Sequence, residues 1–446
     1  MTELKPFEKD LEFLSRADIE ALQLGKLKAM LRHVARTNVF YGDLWRKANV
    51  DVEKITSFAD FRNHIPMVEK ADFLKDQQNN PPFGTRLSSL GRDGVRSEFY
   101  TTSGTSGQGV ELHVQSKREL AVMERMYGYY LSWAGLKPGD ITMLTLPITM
   151  LAGGRAEYQG GVAYDLSVLP IGNYNADAKV DLIRRFQPRA LFGSTTYFAH
   201  LATLLGEDSR KMGVDVLLTG LEGVGLSFFK RLEDQWAARC AERFGCAQMR
   251  ADFLFTDETG VGEPGKPNLL YNIDPYVYLE VLDTTTGQPV ADGEFGELVV
   301  TSLYHFDNPV VRNRLKDGAI FRVGSKAGGK RNFNGLELAS ITRIDDVKKI
   351  KGINVYPQAV DDLVFSLPDV EQYEVLLTST PDFSDVATLR LQLRASAGQD
   401  QASSLTQHIR GLVKQRLGIN FDIEIVTGIE VSEYKARRWK DHRQRN

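Results

Sequence analysis

Short apolar runs alternate with amphipathic segments between residues 141 and 205, and this alternation constrains the fold more than any other feature of the chain. Ile141-Thr142-Met143-Leu144-Thr145-Leu146 indicates a buried strand that ends before Pro147. Asp181 to Phe186 indicates a helix, Ala190-Leu191-Phe192 a second strand, and Tyr197 to Leu205 a second helix. Strands and helices in this order predict βαβ units around a parallel sheet.

The flanking regions have other patterns. Between residues 10 and 50, Leu24, Leu27, Leu31 and Val34 form one apolar helical stripe. After residue 265 the pattern becomes antiparallel, with strands at 276–282 and 297–301 around a turn at 286–289. A small α+β module follows from about residue 345, with helices 358–366 and 404–417 and strands near 371–377, 387–394 and 422–426. The fold class is therefore α/β: a large N-terminal α/β domain with parallel sheets and a β-rich subdomain, plus a small α+β C-terminal domain.

Composition excludes several classes of protein. The 446 residues include 55 basic and 58 acidic side chains, so a nucleic-acid surface is not expected. No apolar run approaches the ~18 residues that span a bilayer, and the first six residues do not resemble a signal peptide. Two cysteines, Cys240 and Cys246, form no disulfide framework, and the seven histidines are scattered, so neither set indicates a zinc site. We expect a cytoplasmic protein that does not act at a membrane.

The stretch from Tyr100 to Gly109, YTTSGTSGQG, contains six hydroxyl-bearing residues and three glycines. Glycines let backbone N–H groups converge on an anion, and hydroxyls add further donors, so the stretch is suited to hold phosphate groups. It is not a P-loop, because no G-x-x-x-x-G-K-[ST] is present. A solvated Ser/Thr/Gly turn remains the alternative interpretation.

Several further segments, taken with their order and spacing, indicate a family. They are Asn38-Val39-Phe40-Tyr41, Phe58-Ala59-Asp60-Phe61, Ile65 to Lys70, the loop just described, Gly153-Gly154, Pro309 to Asp317, Arg343-Ile344-Asp345-Asp346 and Lys351 to Pro357. Together they resemble the phenylacetate–coenzyme A ligase branch of the adenylate-forming superfamily over nearly the whole chain. Members of that superfamily join a carboxylate to AMP, and they rotate a mobile C-terminal domain between an adenylation and a transfer pose. The resemblance implies domains at 1–344 and 345–446, with Asp345 as the hinge; helix capping is the alternative role for Asp345.

The resemblance also implies an ATP and Mg²⁺ site. Glu258 corresponds to the family's metal-binding and catalytic glutamate, Asp317 to the acceptor of both ribose hydroxyls, and Arg343 to a catalytic residue on the ribose or phosphate. An N-cap, a turn and a surface ion pair are the respective alternatives. The remaining residues assigned to ATP are Thr102, Ser103, Gly104, Thr105, Ser106, Gly107, Gly220, Glu222, Asp252 and Phe253.

Lys435 corresponds to the family's catalytic lysine. Its ammonium would bridge the substrate carboxylate and the α-phosphate in the transition state, and a solvated basic tail is the alternative. The carboxylic acid would contact Tyr158, Gly220 and Phe255. Coenzyme A is the acyl acceptor that the resemblance implies, and a homodimer is expected by analogy.

The chain departs from the family pattern at four places. Gln108-Gly109 replaces the loop's Lys-Pro, Leu254-Phe255 stands for the aromatic–glycine pair of Y-G-x-x-E, Asn313 replaces a tyrosine, and Glu433-Tyr434 precedes the lysine. Bulk at Phe255 favours a small or flat acid. These changes leave three hypotheses open: an aryl–coenzyme A ligase, an enzyme that passes the acyl group to an amine or hydroxyl in natural-product biosynthesis, and an inactive nucleotide-binding relative.

Overall fold

One large sheet of twelve strands organises the protein. A computed structural model describes residues 5–87, 96–102, 109–263, 265–324, 326, 331–344, 348–351, 353–380, 384–394, 402–429 and 438–443. Within these ranges, no helix combines the length and the apolar character that crossing a bilayer requires. The helices are α1 (Lys9–Glu12), α2 (Arg16–Thr37), α3 (Val39–Lys47), α4 (Phe58–His64), α5 (Lys70–Asn79), α6 (Lys117–Trp133), α7 (Ala152–Ala163), α8 (Ala176–Phe186), α9 (Thr195–Leu205), α10 (Leu226–Trp236), α11 (Pro357–Phe365) and α12 (Ala402–Leu417).

The strands follow the same chain order. They are β1 (Ser97–Thr101), β2 (Leu112–Ser116), β3 (Ile141–Leu144), β4 (Ser167–Pro170), β5 (Ala190–Phe192), β6 (Val216–Thr219), β7 (Arg239–Cys246), β8 (Ala251–Thr256), β9 (Gly262–Glu263), β10 (Lys266–Pro267), β11 (Leu269–Asn272), β12 (Val277–Leu282), β13 (Phe295–Ser302), β14 (Asn313–Arg322), β15 (Gly335–Glu337), β16 (Thr342–Arg343), β17 (Lys348–Ile350), β18 (Ile353–Val355), β19 (Val370–Ser379), β20 (Asp385–Leu393), β21 (Asp422–Val426) and β22 (Trp439–Asp441).

Five of the twelve strands of the large sheet are parallel. Strands β4, β3, β5, β6 and β7 lie side by side in that order and all pair in parallel. Helices α7 to α10 connect them, and the central strands β5 and β6 are buried along their whole length. Burial on both faces explains why these strands read as continuous apolar runs. The predicted α/β class and the βαβ units are confirmed.

The antiparallel half begins earlier than the sequence pattern suggested. Strand β8 already pairs antiparallel with β7, and the sheet continues through β11, β15, β14, β13 and β12. The hairpin between β7 and β8 therefore reverses the chain at the carboxyl end of the parallel strands. This reversal determines where the residues after β8 lie.

The N-terminal helices cover one part of the molecule with a second, smaller core. In the predicted stripe, Leu27, Leu31 and Val34 are fully buried, and Leu24 packs at its margin. They contact Leu303 and Val311 of the antiparallel region among others. The expected apolar face of this segment is confirmed.

The C-terminal residues form a separate four-stranded sheet in the order β21-β20-β19-β22, with α11 and α12 packed beside it. Helix α11 also packs against α10 of the large sheet. At that contact the Asp362 carboxylate accepts a hydrogen bond from the Ser227 backbone N–H at 3.1 Å, in the first turn of α10. The module is thereby fixed to the helix that follows β6.

Candidate active site

The loop after β6 is held in a strained conformation at the carboxyl end of the parallel strands. A Cβ on Gly220 would lie 2.8 Å from Cγ of Arg243, so this position has no room for a side chain. Leu221 has a φ of +74°, which a branched residue adopts only under constraint. Glu222 accepts hydrogen bonds from the backbone N–H and the hydroxyl of Thr196, at 2.8 and 2.7 Å. Gly220 and Glu222 therefore lie at the edge where ligands of open α/β sheets bind.

The base of the glycine–hydroxyl loop lies close to the same edge. The Thr102 N–H donates to the Glu111 carbonyl at 3.1 Å, and the Glu111 N–H donates to the Thr102 hydroxyl at 3.0 Å. These two bonds close the loop at its ends. The predicted phosphate-binding residues Ser103, Gly104, Thr105, Ser106 and Gly107 lie outside the described residues.

Asp317 and Arg343 are brought together by strand pairing. They are directly opposite each other in the β14–β16 ladder, and Arg343 Nη1 lies 3.4 Å from Asp317 Oδ2. The same guanidinium donates to the Leu315 carbonyl at 2.9 Å. Lys316, immediately before the aspartate, has a φ of +61°. Neighbouring strands therefore present one acceptor and one donor side by side. This arrangement suits two groups that contact a ribose and its phosphate.

The β7–β8 hairpin connects these pieces. The Gln248 amide donates to both carboxylate oxygens of Glu111, at 3.2 and 3.1 Å. Burial raises the pKa of the Cys246 thiol to about 12, and the nearby charges of Asp317 and Glu111 act in the same direction. Residues 246–248 therefore lie close to both the loop base and the Asp317 side of the site.

Glu258 lies at the other end of β7, which corrects its assignment as metal ligand and catalytic residue. Because β8 runs antiparallel to β7, its end returns to Arg239, the first residue of β7, whose guanidinium contacts the Glu258 carbonyl at 3.4 Å. An eight-residue strand spans roughly 23 Å from Arg239 to Cys246. Thr219 pairs with Glu242 and Phe255 pairs with Arg243, so Glu258, three residues after Phe255, lies roughly 10 Å back along β7 from the level of Gly220.

The surroundings of Glu258 are those of a structural ion pair. Arg331 donates from Nη1 and Nη2 to the two carboxylate oxygens at 2.7 Å each, and its Nε donates to Glu12 at 2.7 Å. The Lys5 backbone N–H donates to the same carboxylate. Burial acts to raise the pKa of Glu258, but the bonds from Arg331 outweigh it, so the pKa lies below its usual range. These contacts occupy the oxygens that a metal would need.

An aromatic–glycine pair that the sequence analysis missed stands at the correct edge. Phe244-Gly245-Cys246-Ala247-Gln248 fits the spacing of Y-G-x-x-E, with glutamine in the last position. A Cβ on Gly245 would lie 2.3 Å from the Ala251 carbonyl oxygen, so glycine is required there. Phe244 is half-buried at the carboxyl end of β7. The available signal was its place, at the end of the strand that follows α10.

The remaining predicted residues divide between core and site. Phe255 is fully buried and stacks on Tyr130 with ring centroids 4.9 Å apart, so it belongs to the core and its assignment to the substrate is wrong. Phe253 is also fully buried, packed edge-on against Phe244, which does not support direct contact with ATP. Tyr158 is half-buried on α7. Asp252 lies at the correct edge, in contact with protein side chains that are described below.

Two further predictions cannot be placed, because Lys435 and Asp345 lie outside the described residues. The tail is described again from Arg438, whose guanidinium lies over Phe365 at 5.0 Å and Phe228 at 5.8 Å and forms an ion pair with Asp361 at 3.4 Å. Phe228 belongs to α10. The end of the chain is therefore anchored beside the helix that follows Gly220 and Glu222.

Comparison with known proteins gives matches over the whole chain. The AMP-binding enzyme model matches residues 29–306, and the AMP-binding enzyme C-terminal domain model matches residues 352–443. A phenylacetate-coenzyme A ligase of Aromatoleum evansii is 25% identical, and the alignment covers 99% of this chain and 97% of that protein. A phenylacetate-coenzyme A ligase of Escherichia coli strain K12 is 24% identical, with 97% of each chain covered.

Among solved structures, 2-hydroxyisobutyryl-CoA ligase in a postadenylation state with 2-HIB-AMP superposes with a TM-score of 0.88. It is 21% identical, and the match covers 97% of this chain and 91% of that one. The same ligase in its thioesterification state, with 2-HIB-AMP and CoA, gives a TM-score of 0.68 at 22% identity, covering 98% and 92%. The fold is therefore that of the adenylate-forming ligases. With the first family model spanning more than half of its length, the chain belongs to the AMP-binding enzyme family.

Proposed function

We propose that the protein is an AMP-forming acid–coenzyme A ligase. In the first step a carboxylate oxygen attacks the α-phosphate of Mg-ATP, which gives an acyl-adenylate and releases pyrophosphate. In the second step the thiol of coenzyme A attacks the acyl carbon, so a thioester forms and AMP and a proton leave. The observation that carries the proposal is that three segments lie beside the 220–222 loop. A Cβ on Gly153, two residues after the Leu151 that bridges to Thr101, would lie 3.5 Å from Leu221, and a Cβ on Gly223 would lie 3.0 Å from the carbonyl of Ile341, two residues before Arg343.

The first step joins two anions, so its main requirement is positioning and neutralisation of charge. We assign the loop from Thr102 to Gly107 to the phosphates and Asp317 to the ribose hydroxyls, because the two carboxylate oxygens suit a vicinal diol. Arg343, with a side chain 45% exposed, can turn from Asp317 toward the nucleotide. Lys435 keeps its proposed role at the α-phosphate.

The adenine would lie between Leu221 and Phe244, which end neighbouring parallel strands. Glu258 does not fit a metal site, since Arg331 takes both of its oxygens. No step is therefore assigned to a protein-bound metal at that position. Magnesium enters as the partner of the ATP phosphates.

The relatives support this reaction and its acceptor. Four curated proteins named phenylacetate-coenzyme A ligase are 23–25% identical and align with 93–99% of the chain. An aromatic acid is accordingly the substrate class we propose to test first. We also propose that the chain divides at 344/345, that Asp345 is the hinge, and that the protein is a cytoplasmic homodimer.

A two-stage assay tests the proposal. Purified protein is incubated with Mg-ATP and a panel of aryl, arylacetic and short aliphatic acids, and pyrophosphate release is measured with and without coenzyme A. Acid-dependent release together with a thioester product is the expected result. Acid-dependent release with coenzyme A unused would favour an amine or hydroxyl acceptor instead. If none of the acids on the panel causes pyrophosphate release, adenylation of these acids is refuted and the inactive relative is favoured.

A further inference from the structure

A fully buried arginine gathers carboxylates directly beneath the 220–222 loop. Arg243 donates from Nη1 to the carbonyls of Leu218 and Thr219 at 2.9 and 2.6 Å, from Nε to Asp252 Oδ2 at 3.1 Å, and from Nη2 to Glu157 Oε1. Its side chain has no exposed surface, and neither has that of Glu157. We refer to Glu157, Arg243 and Asp252 as the carboxylate cluster.

The carboxylate cluster has more acceptors than donors. Both donors to Asp252, Arg243 Nε at 3.1 Å and the Tyr127 hydroxyl at 2.6 Å, bind Oδ2. Within the described part of the chain, Asp252 Oδ1 accepts no hydrogen bond, and the buried Glu157 Oε2 has no partner either. One guanidinium therefore serves two carboxylates and leaves one oxygen of each without a donor. Of the two oxygens only Glu157 Oε2 is buried without a partner, whereas Asp252 Oδ1 is left to water or to the donor of a ligand.

Asp252 is the member of the cluster that a ligand can reach. Its side chain is 15% exposed, whereas Glu157 and Arg243 are fully buried. A Cβ built on Gly245 would lie 2.5 Å from Oδ1, so the oxygen without a donor lies against the glycine at the carboxyl end of β7. Gly220, the glycine at the end of the neighbouring strand β6, contacts the other side of Arg243.

We propose that Asp252 selects the acid: the preferred substrates carry a hydroxyl or amino group, remote from the reacting carboxylate, that donates to Oδ1. This inference rests on the proposed ligase function and specifies its substrate class. An unsubstituted hydrocarbon acid in the same position would remove water from Oδ1 without replacing its hydrogen bond, and such sites discriminate strongly against the analogue that lacks the donor. Asp252 is thus a substrate-binding residue rather than the ATP-binding residue that the sequence suggested.

Matched pairs of acids test the proposal on the unmodified protein. Each unsubstituted acid is compared in turn with its hydroxy and its amino derivative. Benzoate and phenylacetate are compared with their ring-substituted forms, and butanoate with its 4-substituted forms. Pyrophosphate release with Mg-ATP gives kcat/KM for each. We expect at least one hydroxy or amino acid to exceed its unsubstituted parent by roughly 10- to 100-fold, the range expected for one hydrogen bond to a charged group.

Variants then assign the preference to Asp252. Asp252→Leu should reverse the preference, so that the unsubstituted acid of the same pair has the higher kcat/KM. Asp252→Asn keeps an acceptor, so it should retain a reduced preference for the hydroxy acid and a still smaller one for the amino acid. Asp215→Asn is the matched control, because Asp215 also accepts from an arginine Nε at 3.1 Å but is exposed at the opposite end of the sheet.

The outcomes separate the two levels of the proposal. Unsubstituted acids used as well as, or better than, every derivative would overturn the role of Asp252 and leave the ligase function standing. Failure of every acid to release pyrophosphate would overturn the ligase function, and the selection by Asp252 with it. If the variants do not fold, the matched pairs on the unmodified protein still decide the substrate class.

Discussion

Replacing Glu258 by glutamine tests whether this carboxylate is part of the fold or part of the chemistry. Its side chain is 3% exposed and faces Arg331, which is 1% exposed and donates two hydrogen bonds of 2.7 Å to it. Glutamine keeps one acceptor oxygen but turns an N–H₂ group toward a guanidinium. The change therefore breaks one charge-assisted bond and removes one buried negative charge.

The loss in unfolding free energy depends on which carboxylates still compensate Arg331 in the variant. Removing one partner of a buried ion pair costs about 3–5 kcal/mol when the other charge is left alone. Here Arg331 keeps Glu12 at 2.7 Å, and Asp257 lies 3.7 Å away, so its charge stays compensated. We therefore expect Glu258→Gln to lower the free energy of unfolding by about 2 kcal/mol, close to the value of one hydrogen bond to a charged group.

Urea unfolding, together with pyrophosphate release at varied Mg²⁺, measures both quantities. The control is Glu20→Gln, since Glu20 is 55% exposed in its pair with Arg16 and should change stability by less than about 0.5 kcal/mol. We expect Glu258→Gln to shift the urea midpoint while kcat and the Mg²⁺ requirement stay within about threefold of the unmodified protein, since its position lies away from the site edge. An unchanged midpoint with a large loss of kcat or a raised Mg²⁺ requirement would refute the structural assignment and restore Glu258 as a metal ligand.

Three further changes test other parts of the structure. Gly220→Ala places a methyl group 2.8 Å from Arg243 Cγ, so it should cost about 1–3 kcal/mol in urea unfolding and, by displacing the 220–222 loop, lower kcat/KM by more than tenfold. Burial raises the pKa of Glu242 from its usual 4.5 to about 8, so the unfolding free energy should fall as pH rises between these two values and level off above about 8; Glu242→Gln should flatten this fall between pH 5 and 8. Asp362→Ala removes the cap on α10 that comes from the C-terminal module; the loss should be about 1 kcal/mol, and pyrophosphate release should fall more than thioester formation from added acyl-adenylate.

The fold could be predicted where burial requires a strand to be apolar along most of its length. Strands β3, β5 and β6 are mostly buried and read as apolar runs. In the C-terminal module both helices and strands β19, β20 and β21 were predicted within a few residues, whereas β17, β18 and β22 were not. Strand β7 could not be found in this way, because Arg239-Cys240-Ala241-Glu242-Arg243 reads as a polar surface segment. Arg243 can be buried because Glu157, 86 residues earlier, and Asp252, across the β7–β8 hairpin, compensate its charge.

The site residues were assigned from the family resemblance, and the assignments at 255 and 258 failed where the chain reverses. Gly220 and Glu222 follow β6, Asp317 lies on β14 and Arg343 lies on β16, and neither β14 nor β16 was expected from the sequence pattern. Residues 254–258 were matched to Y-G-x-x-E by resemblance, with no strand direction predicted for them. Once β8 is known to run back along β7, Phe255 becomes core and Glu258 lies at the far end.

This reversal also changes the meaning of the departures from the family pattern. With Phe244-Gly245 as the aromatic–glycine pair, Gln248 stands where the family has glutamate, and Gln108 stands where the loop has lysine. One position loses a negative charge and the other a positive charge, so the pair of replacements leaves the net charge at the phosphate end unchanged. Gln248 further binds the buried carboxylate of Glu111, which would repel a glutamate in its place. A working site could replace an ion pair by two neutral residues without changing its net charge. The altered loop therefore argues for a diverged ligase rather than an inactive one.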